Sequence, residues 1–173
     1  GVQFESNSTK PVMYIAGIQL PVLIPKIHLV PLTPPKVGEL LAMEVRAENL
    51  PMLTGVEFDL IYNPEFMEII RVSRGLFFIE NKTMTPWHSG TINGFEGKIV
   101  KIGGERTSSA GDSSLLATIY CKLGTKPGEF AIAPLNIQLQ SKLDKIPSYQ
   151  VKGLGLVINE KGGVQSVSYN VDQ

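Results

Sequence analysis

Apolar and polar residues alternate along the stretch from Leu53 to Tyr62, the most regular pattern in the chain. A period of two residues is typical of a β-strand that packs one side against a core and turns the other side to solvent. The apolar face, which we expect to be buried, consists of Val56, Phe58, Leu60 and Tyr62. The opposite face, where a functional surface is expected, consists of Gly55, Glu57, Asp59 and Ile61.

Similar short β-rich runs recur along the chain between turn signals such as Asn63-Pro64, Asn93-Gly94 and Pro127-Gly128. This spacing favours an all-β sandwich, and no window sustains a helical period over three turns. We predict strands at about 12–20, 26–32, 40–48, 54–62, 67–73, 98–103, 115–123, 129–140 and 151–158.

The length of 173 residues suits one well-buried domain. We predict an N-terminal extension or added edge strand at 1–25, a β-sandwich at 26–160, and a C-terminal tail or final strand at 161–173. The start at Gly1 and the end at Gln173 are consistent with a fragment of a longer protein.

Charge and hydropathy exclude two classes of partner. Sixteen basic residues balance sixteen acidic ones, and no Lys/Arg cluster is present, so we expect no nucleic-acid partner. The apolar stretch from Met13 to Leu32 is interrupted by Pro21, Pro25 and Pro31. A spanning helix of about 20 residues would not survive these prolines, so we predict no membrane span.

Candidate catalytic and metal residues are few. The single cysteine, Cys121, lies on the apolar side of a predicted strand, where we expect a small buried side chain. Glu57, Asp59 and Asn63 are close in the chain but lack the spacing of a calcium loop. No nucleophile elbow, zinc helix or phosphate loop is present. A glycosidase needs only two carboxylates that meet in space, so the sequence pattern does not exclude one as directly as it excludes these motifs. We predict no enzyme, no metal and no cofactor.

The loop from Met84 to Gly90 contains the one tryptophan of the chain. Trp87 could stack on a sugar ring while His88 donates a hydrogen bond, so both are candidate carbohydrate-binding residues. The alternative is that Trp87 lies under the loop as a plug over the end of the sandwich.

Five segments, in this order, resemble a cohesin domain, and the resemblance runs from about Ile27 to Ile158. They are Lys36-Val37-Gly38-Glu39, the run from Gly55 to Pro64, Leu116-Ala117-Thr118-Ile119, Lys126-Pro127-Gly128, and the run from Gly153 to Ile158. The resemblance implies a nine-stranded jelly-roll β-sandwich without catalytic activity. It also implies an extracellular or cell-surface protein that binds a dockerin-type partner.

In cohesins, the outer face of the strand before the Tyr-Asp-Pro turn contributes to dockerin recognition. The resemblance therefore assigns partner binding to Gly55, Glu57, Asp59 and Ile61. The chain has Asn63 where the family usually has the aspartate of that turn. Two alternatives remain: a carbohydrate-binding module that takes a polysaccharide, and a structural sandwich of a larger secreted or envelope protein.

Overall fold

The computed structural model describes the backbone at residues 12–15 and 18–21, and both backbone and side chains at 23–109 and 114–172. These residues form strands and turns, together with a single-turn 3₁₀ helix at Leu76–Phe78. In chain order the strands are β1 (Val12–Ile15), β2 (Ile18–Pro21), β3 (Lys26–Pro31), β4 (Leu40–Glu48), β5 (Leu53–Ile61), β6 (Met67–Arg74), β7 (Ile79–Glu80), β8 (Thr83–Met84), β9 (Trp87–Asn93), β10 (Lys98–Glu105), β11 (Leu115–Leu123), β12 (Gly128–Ser141), β13 (Gln150–Ile158) and β14 (Val164–Asn170).

Nine strands follow one another in a hydrogen-bonded path, in the order β6-β11-β4-β3-β13-β12-β5-β10-β9. The path changes layer at β12, which pairs with β13 as far as Ile132 and with β5 from Ala133 onwards. One long strand is thus shared by both sheets of the sandwich. Neighbouring strands are antiparallel except β3 and β13, which are parallel. The predicted all-β jelly-roll sandwich is confirmed, and within the described residues β14, which pairs with β13, adds a tenth strand to the nine of the path.

The core lies between the two layers. It is built from the inward-facing side chains of strands in which buried and exposed positions alternate. The predicted buried residues of β5 are confirmed, since none of them exposes more than 7% of its surface. Burying a side chain of this size contributes roughly 1.5–3 kcal/mol. The aromatic members of the core include Phe58, Phe77 and Phe78, all fully buried.

Three parts of the strand prediction were wrong. The single strand expected at 12–20 is two strands, β1 and β2, that pair with each other. The hairpin β7–β8 and the strand β9 were not predicted. β14 lies within 161–173, where a final strand was one of the two alternatives. In β9, Ser89-Gly90 resembled a turn in the sequence. Gly90 instead continues the strand with φ of +84°, where an added Cβ would lie 2.8 Å from the Ile99 side chain.

Candidate docking face

One side of the sheet formed by the second part of β12 with β5, β10 and β9 points away from the core. We call this side the outer face. Residues that pair across antiparallel strands point to the same side of a sheet, so the register defines rows of side chains. The first row, in the order of the strands, is Gln138, Glu57, Gly103 and His88. The second row is Gln140, Gly55 and Glu105.

Glycine and glutamate alternate at the centre of these rows. Glu57 and Glu105 occupy one diagonal, and Gly55 and Gly103 occupy the other. A groove of about 270 Å³ lies at this part of the face, and its lining includes Gly55 and Gly104 together with Glu57, Glu105, Gln138 and Gln140. Diagonal neighbours in an antiparallel sheet are about 7–8 Å apart, so the two carboxylates lie on either side of the glycine positions of the groove. We call this the glycine-floored groove.

Asp59 lies on the outer face, but its carboxylate is already engaged. Oδ1 accepts a hydrogen bond of 2.9 Å from the Lys101 backbone N–H, and Oδ2 accepts one of 2.8 Å from the Asn136 side-chain amide. Lys101 and Asn136 have φ of +64° and +51°. Both lie where the register of β10 or β12 shifts against β5. Asp59 therefore holds an irregularity in each neighbouring strand, which shapes the face.

An exposed aromatic residue lies in the turn that joins β9 and β10, two strands of the outer face. Phe95, at the tip of the β9–β10 turn, is 96% exposed. The turn is well fixed, because Asn93 accepts hydrogen bonds from the N–H groups of Glu96 and Gly97. Gly97 in turn accepts a 2.9 Å hydrogen bond from the Tyr62 N–H at the end of β5. Phe95 was not among the residues predicted from the sequence, although an aromatic residue between the glycines of a tight turn is a signal that could have identified it.

Trp87 and His88 follow each other on β9 and therefore leave opposite sides of the strand. Trp87 is half-buried, with its ring centroid 5.0 Å from that of Phe78. His88 is exposed on the outer face, in the row of Glu57. This placement agrees with the alternative in which Trp87 plugs the end of the sandwich. Sugar binding by Trp87 and His88 stays a prediction.

Charged groups differ between the two sheets. On β3 and β4 they pair with each other: Glu44 lies 2.9 Å from Arg46, and Glu48 lies 3.4 Å from His28. Within the described residues, Glu57 and Glu105 have no such ion-pair partner. Among the described residues, the outer face therefore carries two carboxylates without ion pairs, whereas the charged groups named on β3 and β4 are paired.

Comparison with known proteins identifies the architecture. No family model and no curated protein matches the sequence. The sixth cohesin of scaffoldin B from Acetivibrio cellulolyticus, solved with a mutant Cel5 dockerin, matches with a TM-score of 0.59 and 9% identity over 75% of this chain and 95% of that one. The second type II cohesin module of the ScaA scaffoldin of that organism gives 0.59 and 11% over 72% and 89%. The chain has the cohesin fold. A non-cellulosomal cohesin from Archaeoglobus fulgidus gives 0.56 and 14% over 73% and 84%.

Within this cohesin fold, the four predicted partner-binding residues lie along β5 but differ in access. Glu57 is half-exposed and Ile61 is 36% exposed. Gly55 is buried, because the Gln140 side chain covers it. Asn63 forms the turn after β5 as an aspartate would, since its side-chain oxygen accepts a 3.0 Å hydrogen bond from the Glu65 N–H. The assignment of Gly55, Glu57, Asp59 and Ile61 to partner binding stays a prediction.

Other candidate chemistry of the cohesin-like chain is limited. Cys121 is buried as predicted, and burial raises the pKa of its thiol to about 12. In the part of the chain that the structure describes, no three His, Cys, Asp or Glu side chains group together as metal ligands would. No helix among the described residues has the length and apolar character needed to cross a membrane.

A buried carboxylate holds the loop after β10 beside the glycine-floored groove. Glu80, at the end of β7, accepts hydrogen bonds from the backbone N–H and the hydroxyl of both Thr107 and Ser108. These four donors lower the pKa of Glu80 from its usual 4.5 to about 2. They therefore join the β7–β8 hairpin, which leads into β9, to the chain that leaves β10.

This arrangement predicts a specific loss of stability in acid. A lowered pKa in the folded state means that the charged Glu80 stabilises the fold fully above pH 4.5, and that this contribution fades as the pH falls toward 2. We expect the free energy of unfolding to decline more steeply between pH 4.5 and 2 in the wild type than in Glu80→Gln. Urea titrations at several pH values measure this difference. Parallel curves for the two proteins would contradict it.

Proposed function

We propose that the chain is a non-catalytic recognition module that acts outside the cell or at its surface and binds a dockerin-type protein through the outer face. The observation that carries this proposal is the composition of that face. The face carries two carboxylates, Glu57 and Glu105, that have no ion-pair partner among the described residues. The turn that joins its strands β9 and β10 adds one fully exposed aromatic residue, Phe95. A surface of this kind suits a protein partner better than a small-molecule substrate.

Rigidity supports the same proposal. The residues of the outer face lie on hydrogen-bonded strands, and Asp59 holds the irregularities of β10 and β12 in place. The Phe95 turn is tied to β5 through Tyr62. A preformed surface loses little conformational entropy when it binds, so more of the contact energy appears as affinity.

The fold is a second line of support. Cohesins of similar architecture were solved in complexes with dockerins, among them the sixth cohesin of Acetivibrio cellulolyticus scaffoldin B and the Coh-OlpA module of Clostridium thermocellum. The partner proposed for this chain is a module of the same class. Any calcium in such a complex would belong to the loops of the dockerin.

The test is binding to a panel of purified dockerin modules, with calcium and with a chelator. For any dockerin that binds, we expect Phe95→Ala and Glu57→Lys each to lower the affinity by at least about tenfold, measured by calorimetry. Phe95→Ala removes an aromatic anchor, and Glu57→Lys reverses a charge at the groove.

Two variants away from the outer face serve as matched controls. Leu76→Ala removes another exposed apolar side chain, and Glu129→Lys reverses another exposed charge. Both should bind like the wild type. Equal losses in test and control variants would contradict the proposed face, and a panel in which no dockerin binds would contradict the proposed partner. Affinity electrophoresis in soluble polysaccharides tests the carbohydrate alternative, for which retarded migration would be the supporting result.

A further inference from the structure

The last strand, β14, lies at the edge of the first sheet. It pairs with β13 over seven consecutive positions, from Ile158 opposite Val164 to Lys152 opposite Asn170, without a register shift. Among the described residues, no other strand pairs with β14. Within the part of the chain that the structure describes, its second edge therefore presents backbone N–H and C=O groups that are available to pair with another strand.

This edge lacks the features that usually prevent edge-to-edge pairing. Natural edge strands are protected by charged side chains, proline or bulges. The β14 sequence, Val-Gln-Ser-Val-Ser-Tyr-Asn, has no charge and no proline. By contrast, β6, at one end of the path of strands, carries Glu68, Arg71 and Arg74. The protection that β6 has is missing from β14.

The pattern of β14 is also nearly symmetric about its central residue, Val167. Antiparallel pairing of two copies about this residue would place Ser166 of each copy opposite Ser168 of the other. Gln165 would lie opposite Tyr169. Small polar pairs of this kind are favourable across strands, and the absence of charge means that two copies do not repel each other. Val167, 63% exposed, would lie opposite its own counterpart.

We propose that β14 is a self-association edge: two copies of this chain pair through it in antiparallel orientation about Val167 and form one continuous sheet. Such a contact is isologous and closes after two copies. The outer face belongs to the other sheet, so each copy keeps its docking face free, and the inference does not depend on the proposed function.

The expected association is weak. Pairing of seven-residue edges buries far less surface than the roughly 1,200–2,000 Å² of a stable interface. We expect a dissociation constant on the order of 100 µM, in the range of weak complexes. The paired form would therefore be populated mainly where the protein is tethered or locally concentrated.

The test compares two charge variants by sedimentation equilibrium of the full chain, from about 10 µM to about 1 mM, a range that brackets the expected constant. The double variant Ser166→Lys with Ser168→Lys places like charges opposite each other and should stay monomeric. Its matched control, Ser166→Lys with Ser168→Glu, has the same backbone and places opposite charges together. It should associate at least as tightly as the wild type, and salt should weaken its association.

Hydrogen exchange localises the contact. The amides of β14 in the wild type should become more protected as the concentration rises. A wild type that stays monomeric to about 1 mM, well above the expected constant, would overturn the proposal. Identical behaviour of the two charge variants would overturn it too, and so would β14 amides protected equally at every concentration, since other residues of the same chain would then cover the edge.

Discussion

The Gly103→Ala variant is expected to lose about 3–5 kcal/mol of unfolding free energy, since backbone strain and overpacking add together at this position. Gly103 has φ of +145°, a conformation that L side chains rarely adopt. A Cβ there would lie 2.0 Å from the Val56 carbonyl oxygen, and backbone atoms cannot move aside as a flexible side chain can. Urea or thermal unfolding of the variant measures the loss.

Gly155→Ala is the matched control for this prediction. Gly155 also lies within a strand, but an added Cβ would meet the Val167 side chain at 3.4 Å, at the limit of an ordinary contact. We expect a change within about 0.5–1 kcal/mol. If Gly103→Ala were as stable as this control, β5 and β10 would have to approach each other less closely than the structure shows.

The Asp59→Ala variant is expected to lose about 2–3 kcal/mol, because each hydrogen bond to a charged acceptor contributes more than a neutral one. The substitution leaves the Lys101 N–H and the Asn136 amide without their acceptor. Both residues have a positive φ that this acceptor stabilises. We expect the strand irregularities on either side of Asp59 to loosen, which hydrogen exchange at Lys101 would detect.

Glu57→Ala separates this structural role from a contact role. Glu57 lies two residues earlier on the same face, and among the described residues its carboxylate has no ion pair, so its loss should change stability by less than about 0.5 kcal/mol. Denaturant titration of both variants provides the comparison. Equal stability of the two would show that Asp59 is an ordinary surface carboxylate and not a brace for its neighbours.

The fold could be predicted largely from local pattern. Alternation along β5 identified its buried side chains, because the core imposes the same two-residue period on the sequence. The strand β9 was missed, and 161–173 was left open between a tail and a final strand, for the same physical reason. Most residues of β9 and β14 are exposed on both sides, so neither strand has an apolar face that would reveal it. Both strands form because they hydrogen-bond to a neighbouring strand, and such pairing leaves little trace in the amino-acid composition.

The candidate site was less accessible to prediction. The outer face was located from the polar side of β5, but the groove in it arises from register: Glu57 on β5 acquires Gly103 and His88 as neighbours only when three strands align. Asp59 was read as a contact residue because its two donors lie 42 and 77 residues away in the chain. Contacts over such separations are fixed by tertiary packing and have no local signature.

The pairing of β14 also has a mechanical consequence. Lys26, where β3 begins, pairs with Gln150, and Asn170, where β14 ends, pairs with Lys152. The polypeptide therefore enters and leaves the sandwich on either side of the start of β13, at points on the order of 10 Å apart. Tension applied between these two points would not stretch the whole module. It would peel β14 from β13 one hydrogen bond at a time, while the strands of the outer face remained unloaded.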